Sequence, residues 1–223
     1  MNKQGKGKID YLEWDWNPVK GLCKKGCSYC FMQRYYKRFK LNPKIRFDEK
    51  ELKTDLGKGN FIFVGSSTDM FANEVPNEWI RRVIMKCKDY DNEYLFQTKN
   101  PNRFKIFRKR FPPNTILGIT IETNRETPSK ATNTNYRAED FSHEMLYGFR
   151  KMVTIEPIMD FDVTHLVDMI KMIQPEFVNI GADSKGHNLP EPSNEKIAKL
   201  IEELTKFTEV NLKDNLKRLY TSD

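Results

Sequence analysis

Three cysteines lie close together near the N-terminus, in the run CKKGCSYC at positions 23–30. The spacing C-x3-C-x2-C places three thiolates on one short loop. Three thiolates can hold a cubic iron–sulfur cluster and leave its fourth iron open to an outside ligand. The spacing therefore predicts a 4Fe-4S cluster on Cys23, Cys27 and Cys30 that binds a further molecule.

Zinc and disulfides are the alternatives for these cysteines. Structural zinc normally takes four protein ligands. No fourth donor stands at a suitable spacing, because Cys87 lies in an amphipathic run and His143, His165 and His187 are scattered far along the chain. Four cysteines in 223 residues, with no apparent secretory leader, do not suggest a disulfide scaffold. The pattern favours a cluster over zinc, and zinc over disulfides.

At these residues the chain resembles the radical S-adenosylmethionine (radical SAM) superfamily. The signature of that superfamily combines this spacing with an aromatic residue just before the third cysteine, where this chain has Tyr29. The resemblance implies that SAM chelates the open iron and is cleaved by one electron to give a 5′-deoxyadenosyl radical. It also implies an external one-electron reductant. The inference that the cofactor is SAM comes from this resemblance, because the cysteine spacing alone does not identify the molecule that binds the open iron.

Composition indicates one soluble enzyme domain. The 223 residues are 38% hydrophobic and 12% aromatic, enough for a single sizeable core. No run approaches the length of a membrane span, so we expect a cytoplasmic protein and a single domain over residues 1–223. The net charge of +7 weakly favours polyanionic partners such as nucleic acid.

Short apolar runs alternate with helical periodicity along the chain, which is typical of stacked βα units on a parallel sheet. The predicted strands are 14–16, 61–65, 94–98, 116–121, 152–155, 177–180 and 210–212. Helical faces are marked by apolar residues within 79–87, 166–173 and 197–204, the last preceded by the N-cap candidate Ser193. With the resemblance, the pattern predicts an α/β fold: a partial (βα)6 TIM-like barrel of the radical SAM type with an extra C-terminal strand.

Polar residues follow the predicted strands, and in such barrels the chemistry gathers at the carboxyl ends of the strands. Any one of them could simply cap a helix or close a turn. A zwitterion such as SAM needs an acceptor for its ammonium, a cation for its carboxylate and polar partners for its ribose. Asp69, Lys99 and the pair Thr120/Glu122 offer these on three consecutive strands. The expected SAM contacts are Tyr29, Ser67, Thr68, Asp69, Lys99, Thr120, Glu122 and Gly181.

The stretch GSSTD at 65–69 departs from the Gly-Gly-Glu type of many radical SAM enzymes. It resembles instead the Thr-Asp version of spore photoproduct lyase-type DNA-repair lyases. The motifs WNP (16–18), TDMF (68–71), PNEWI (76–80), QTK (97–99) and IEP (155–157) together resemble an uncharacterised phage-associated family of radical-SAM-like proteins. That resemblance covers most of the chain. It implies a radical-SAM-like cofactor site but does not imply a particular substrate.

The segment after the cysteines interleaves cations with aromatic residues, a pattern of nucleic-acid grooves. An ordinary amphipathic helix explains it about equally well. The expected substrate contacts are Arg34, Tyr35, Tyr36, Lys37 and Arg38, joined by Glu156 and Lys213 at strand ends. The leading substrate class is nucleic acid or a nucleotide, for modification or repair.

The alternatives to this substrate class are a radical SAM enzyme acting on a peptide or small metabolite, and an inactive iron–sulfur protein that binds nucleic acid. The polar loop 123–136 is either a substrate lid or simply a disordered loop. Cys87, spaced with Val83 and Ile84, is expected in the core rather than as a hydrogen-donating thiol. No catalytic residue is assigned.

Overall fold

The computed structural model describes residues 1–3 and 12–221. Residues 4–11 and 222–223, which the expected domain includes, lie outside the described residues. Among the described residues, none of the helices combines the length and apolarity needed to cross a membrane.

The described part of the chain contains ten strands and six α-helices, and from β5 onward strands and helices alternate. The strands are β1 (Asn2–Lys3), β2 (Trp14–Trp16), β3 (Val19–Lys20), β4 (Arg46–Phe47), β5 (Phe61–Val64), β6 (Glu93–Thr98), β7 (Thr115–Thr120), β8 (Arg150–Ile155), β9 (Phe177–Ile180) and β10 (Glu209–Leu212). The helices are α1 (Phe31–Arg38), α2 (Asn77–Lys88), α3 (Phe104–Phe107), α4 (Thr134–Ser142), α5 (Val163–Ile173) and α6 (Asn194–Leu204).

Eight strands form one sheet in the order β1-β2-β5-β6-β7-β8-β9-β10. Only β1 runs antiparallel, and every neighbouring pair from β2 to β10 is parallel. This is the expected α/β fold, a mostly parallel partial barrel that is not closed. The fold-class prediction is confirmed, and β10 is the extra C-terminal strand.

The two faces of the sheet carry different residues, because successive side chains of a strand point to opposite sides. One face packs under the helices and forms the main core, as Phe96, Ile119 and Ile155 do. The other, inner face holds a smaller apolar cluster that includes Leu95, Ile116, Met152 and Phe177. The inner face is thus filled with apolar side chains toward the amino ends of the strands.

Continuing the same alternation toward the carboxyl ends turns the inner face polar. Two residues beyond Leu95 comes Gln97, whose side chain donates to the Thr120 hydroxyl on β7 at 3.0 Å. Lys99, Glu122 and Glu156 continue the inner-facing series just past β6, β7 and β8. Because the strands are parallel, these residues share one edge of the sheet.

The predicted helical faces are buried as expected. In α2 the residues Ile80, Val83, Ile84 and Cys87 are all buried, so Cys87 lies in the core. Ser193 caps α6 by accepting a hydrogen bond from the Lys196 backbone N–H.

Candidate functional site

The cysteine loop lies between β3 and α1 at the carboxyl edge of the sheet. Cys27 is buried, and Cys23 and Cys30 are half-buried; all three thiols are free. The Cys30 N–H donates to the Cys27 carbonyl at 3.0 Å, and the Gln33 side chain donates to the same carbonyl at 2.9 Å. These bonds start α1 directly after the third cysteine.

The loop after β7 covers the cysteine loop. Its backbone forms two bonds across, Ser28 N–H to Pro128 O at 3.0 Å and Lys130 N–H to Lys25 O at 2.7 Å. The Ser129 hydroxyl lies 3.0 Å from the Cys27 sulfur. The predicted polar loop 123–136 is therefore ordered against the cysteines, and its last residues, 134–136, belong to α4.

The donor set of this loop fits a 4Fe-4S cluster. Cys27 packs with Tyr29 and Met159, and with Cys30 and Leu189 at the edge, which shields the thiols from water. Burial and the nearby Asp69 carboxylate raise the pKa of the Cys23 thiol, so bound iron is what would hold it as a thiolate. The Lys99 ammonium lies 3.5 Å from the Cys27 sulfur.

A single metal ion is a different case. Among the described residues, no three His, Cys, Asp or Glu side chains converge closely enough to ligate one ion. A cluster does not require such convergence, because each thiolate binds its own iron.

Asp69 is held at the end of β5 by groups from β6 and the cysteine loop. Its carboxylate accepts from the Thr98 hydroxyl at 2.8 Å and from the Lys99 N–H at 2.9 Å. It also forms an ion pair with Lys25, which lies between the first two cysteines. Burial opposes its charge, but the Lys25 charge and these hydrogen bonds outweigh burial and lower the pKa of Asp69. The carboxylate is therefore charged and faces a cation.

The half-buried Lys99 and the fully buried Glu122 form a second charge pair, with nitrogen and oxygen 2.6 Å apart. The Tyr29 hydroxyl accepts from Lys99 at 2.9 Å and donates to Glu122. Arg137 of α4 binds the other Glu122 oxygen at 2.8 Å, and both side chains are fully buried. Burial alone would raise the pKa of Glu122. The positive charges of Lys99 and Arg137 outweigh this effect and lower the pKa to about 2.

The remaining expected SAM contacts take part in bonds within the protein. Ser67 donates its N–H and its hydroxyl to the Asn17 side-chain oxygen, each at 2.8 Å. The Thr68 hydroxyl is buried and donates to the Gly21 carbonyl at 2.8 Å. Both residues thus tie the end of β5 to the segment that carries the cysteines.

The expected substrate residues at the far strand ends form one group. Glu156, after β8, binds Lys213 at 2.5 Å through one oxygen and the Asn215 amide at 2.7 Å through the other. Gly181, after β9, lies against both: a Cβ there would come within 2.9 Å of the Glu156 carboxylate and the Asn215 oxygen. Only glycine leaves this space open.

The cationic segment forms α1, and its side chains differ in their exposure to solvent. Tyr35 is 47% exposed and its ring lies 4.7 Å from that of Phe39, itself covered on one side by Arg38. Arg34 and Lys37 are exposed as well. Tyr36 is buried instead, and its hydroxyl accepts from the Gly21 N–H at 2.8 Å. The Tyr36 ring therefore has no free face for stacking, contrary to the expectation.

Sequence reasoning missed Lys25 and Arg137. Arg137 had a visible signal, because it lies on the buried face of α4 with Ala138 and Phe141, where a charge requires a partner. Lys25 had none, since most lysines are exposed and nothing in the sequence marks this one as buried.

Comparison with known proteins identifies the family. Residues 6–188 match the family model described as "Protein of unknown function (DUF5131)". The chain belongs to this family. No curated protein matches this DUF5131 chain.

Solved structures share the fold of the DUF5131 chain at low identity. Spore photoproduct lyase complexed with dinucleoside spore photoproduct superposes with a TM-score of 0.64 at 10% identity, over 98% of this chain and 81% of that one. A spore photoproduct lyase double mutant with bound AdoMet and dinucleoside spore photoproduct gives 0.58 at 12%, over 92% and 66%. Native anSMEcpe with bound AdoMet gives 0.53 at 13%, over 89% and 63%. The partial-barrel fold of the DUF5131 chain is therefore that of these AdoMet-binding proteins.

Proposed function

We propose that this chain is a radical SAM enzyme that acts on nucleic acid or a nucleotide, for modification or repair. One observation carries the proposal. The Lys99 ammonium lies 3.5 Å from the Cys27 sulfur, and the Lys99 backbone N–H donates to the Asp69 carboxylate. The cation that follows β6 and the anion that follows β5 therefore lie together at the cysteine loop. The fold shared with AdoMet-binding structures supports it.

Cys23, Cys27 and Cys30 would hold a 4Fe-4S cluster. With an external one-electron reductant, the bound cluster and SAM would supply one-electron reductive cleavage of the SAM sulfonium, chemistry that belongs to the cofactors. The protein binds and orients SAM and keeps water away from it. Leu189, Met159 and the loop at 128–130 provide the shielding.

Asp69 and Lys99 are the proposed partners of the SAM zwitterion. In the present structure the Asp69 carboxylate forms an ion pair with the Lys25 ammonium. The SAM ammonium would replace it, one cation for another, so the buried carboxylate stays neutralised throughout. Lys99 would bind the SAM carboxylate while Glu122 and Tyr29 hold its side chain in place. Ser67, Thr68, Thr120 and Gly181 would shape the walls of the pocket.

The surface of α1 is the proposed nucleic-acid contact. Arg34, Lys37 and Arg38 offer charges to phosphates, and the exposed Tyr35 and Phe39 rings offer stacking faces. This surface follows the third cysteine directly, so a bound strand would lie close to the cluster. The nucleotide-like ligands named with the spore photoproduct lyase structures are consistent with such a substrate.

Anaerobic SAM cleavage tests the proposal. Reconstituted protein with a strong reductant should release 5′-deoxyadenosine, and Cys30→Ala should abolish it. Cys87→Ala is the matched control, since Cys87 is buried in α2 away from the loop, and it should keep the cluster and the activity.

A protein that holds its cluster but leaves SAM intact would support the inactive binding protein instead. Cleavage of SAM without any affinity for DNA or RNA would support a peptide or metabolite substrate.

A further inference from the structure

His187 is fixed by Asp183 just past the carboxyl end of β9. The Asp183 carboxylate accepts from the ring Nδ1 at 2.6 Å, from the His187 N–H at 2.5 Å and from the Lys185 N–H at 3.0 Å. A carboxylate only accepts hydrogen bonds, so the neutral imidazole carries its hydrogen on Nδ1. Its other nitrogen, Nε2, is then an acceptor.

Nε2 of His187 has no donor. It is buried, and no hydrogen-bond partner exists for it among the described residues. Asn215 presents a second case at the same strand end: its amide nitrogen donates to Glu156 at 2.7 Å and to the Ala182 carbonyl at 2.8 Å. Those two bonds fix the amide orientation and leave the Oδ1 acceptor buried, again without a partner in the described chain.

The loop that carries His187 borders the candidate cofactor site. Arg34 of α1 donates to the Lys185 carbonyl at 3.1 Å, and Leu189 packs beside Cys27, Tyr29 and Cys30. Asn188 has a left-handed backbone, with φ of 55°, so the chain turns sharply directly after the histidine. The His187 acceptor thus lies on a loop next to the cysteine loop, and the Asn215 acceptor lies against Gly181 just past β9.

Two buried acceptors held by residues just past the carboxyl end of β9 call for a ligand that brings donors. Phosphate oxygens only accept, so a phosphate does not meet this need. The base edges of nucleotides carry N–H groups, and an unstacked base presents them in a plane. We propose that His187 Nε2 and Asn215 Oδ1 accept hydrogen bonds from the N–H groups of a substrate nucleobase. This inference rests on the proposed function and assigns the base-reading part of its site to the carboxyl end of β9.

Binding of short DNA single strands to cluster-loaded protein tests the inference. The probes are four strands, each of a single base type, and an abasic strand of equal length. His187→Phe keeps a ring but removes the acceptor, and should weaken binding of the preferred strand about 3- to 10-fold, the loss expected for one neutral hydrogen bond. Binding of the abasic strand should not weaken. His187→Gln places a carboxamide oxygen near the Nε2 position and should recover most of the loss.

Two further variants separate base contact from general damage. Asp183→Asn would donate to Nδ1 and move the ring hydrogen to Nε2, so it should reproduce the His187→Phe loss, and ¹⁵N NMR of the histidines should show the changed tautomer. His165→Phe, at an exposed position of α5, is the matched control and should bind like the parent.

Equal binding of every strand by His187→Phe and the parent would overturn the inference, as would an equal loss on the abasic strand. Formation of 5′-deoxyadenosine by the parent separates the two ideas. If the parent forms none, the proposed function fails; if it does and His187→Phe binds normally, only this inference fails.

Discussion

Glu122 should be the charge on which the candidate site depends most. It is 0% exposed and is bound by Lys99 at 2.6 Å and by Arg137 at 2.8 Å. Replacing it by glutamine leaves the buried Arg137 and the half-buried Lys99 without this counter-charge. The pKa drop from 4.5 to about 2 corresponds to about 3 kcal/mol at about 1.4 kcal/mol per pKa unit. We therefore expect Glu122→Gln to lower the free energy of unfolding by about 3 kcal/mol at pH 7.

The lowered pKa of Glu122 also predicts how the stability difference between the parent and Glu122→Gln changes with pH. The pKa of Glu122 is lower in the folded state, so its stabilisation is complete well above pH 4.5 and is lost as the pH falls from there toward about 2. The gap between parent and Glu122→Gln should therefore narrow by about 1 kcal/mol between pH 7 and pH 3.5.

Guanidinium unfolding of the cluster-free protein, followed by circular dichroism at both pH values, measures this gap. Glu202→Gln, on the exposed side of α6, is the control and should unfold like the parent. Equal midpoints for Glu122→Gln and the parent at pH 7, or a gap that stays constant on acidification, would refute the reasoning.

Three further outcomes are expected. Asp69→Ala should weaken SAM binding, measured by equilibrium dialysis, by about 1–3 kcal/mol, because a buried charged partner is lost; parental affinity would contradict the proposed SAM position. Replacing Arg34, Lys37 and Arg38 together by Ala should lower DNA affinity and flatten its dependence on salt, by a log-log slope of about 0.9 per lost phosphate contact on duplex or about 0.7 on single strands; an unchanged slope in fluorescence anisotropy would exclude this surface. Tyr36→Phe should lower thermal stability by about 1–3 kcal/mol, since the buried Gly21 N–H loses its acceptor, while its DNA affinity should equal that of the parent.

The main sheet could be predicted because each of its parallel strands is a short apolar run bounded by polar or turn residues. The observed bounds of β5 to β10 differ from the expected ones by no more than two residues. The strands β1, β3 and β4 were missed because each has only two residues. Two residues show no alternation, so their pairing depends on contacts made elsewhere in the chain.

The site could be predicted only in part. The alternation of side chains along a strand explains why Lys99, Glu122 and Glu156 reach the same inner face. Their shared position could therefore be predicted from the sequence. What the sequence does not contain is which charges pair. Lys25 meets Asp69 across 44 positions. Arg137 meets Glu122 from α4, a helix that was not predicted and whose first residues fall within the expected polar loop 123–136. Such pairs arise from the path of the loops, which no local pattern encodes.

Electron paramagnetic resonance of the reduced, reconstituted protein tests the central claim most directly. The account predicts the signal of one reduced 4Fe-4S cluster per chain, a change in that signal when SAM is added, and loss of the signal when Cys23, Cys27 or Cys30 is replaced by alanine. The change on addition of SAM follows because three thiolates leave one iron open. Stoichiometric zinc in place of iron, or a cluster signal that SAM leaves unchanged, would contradict it.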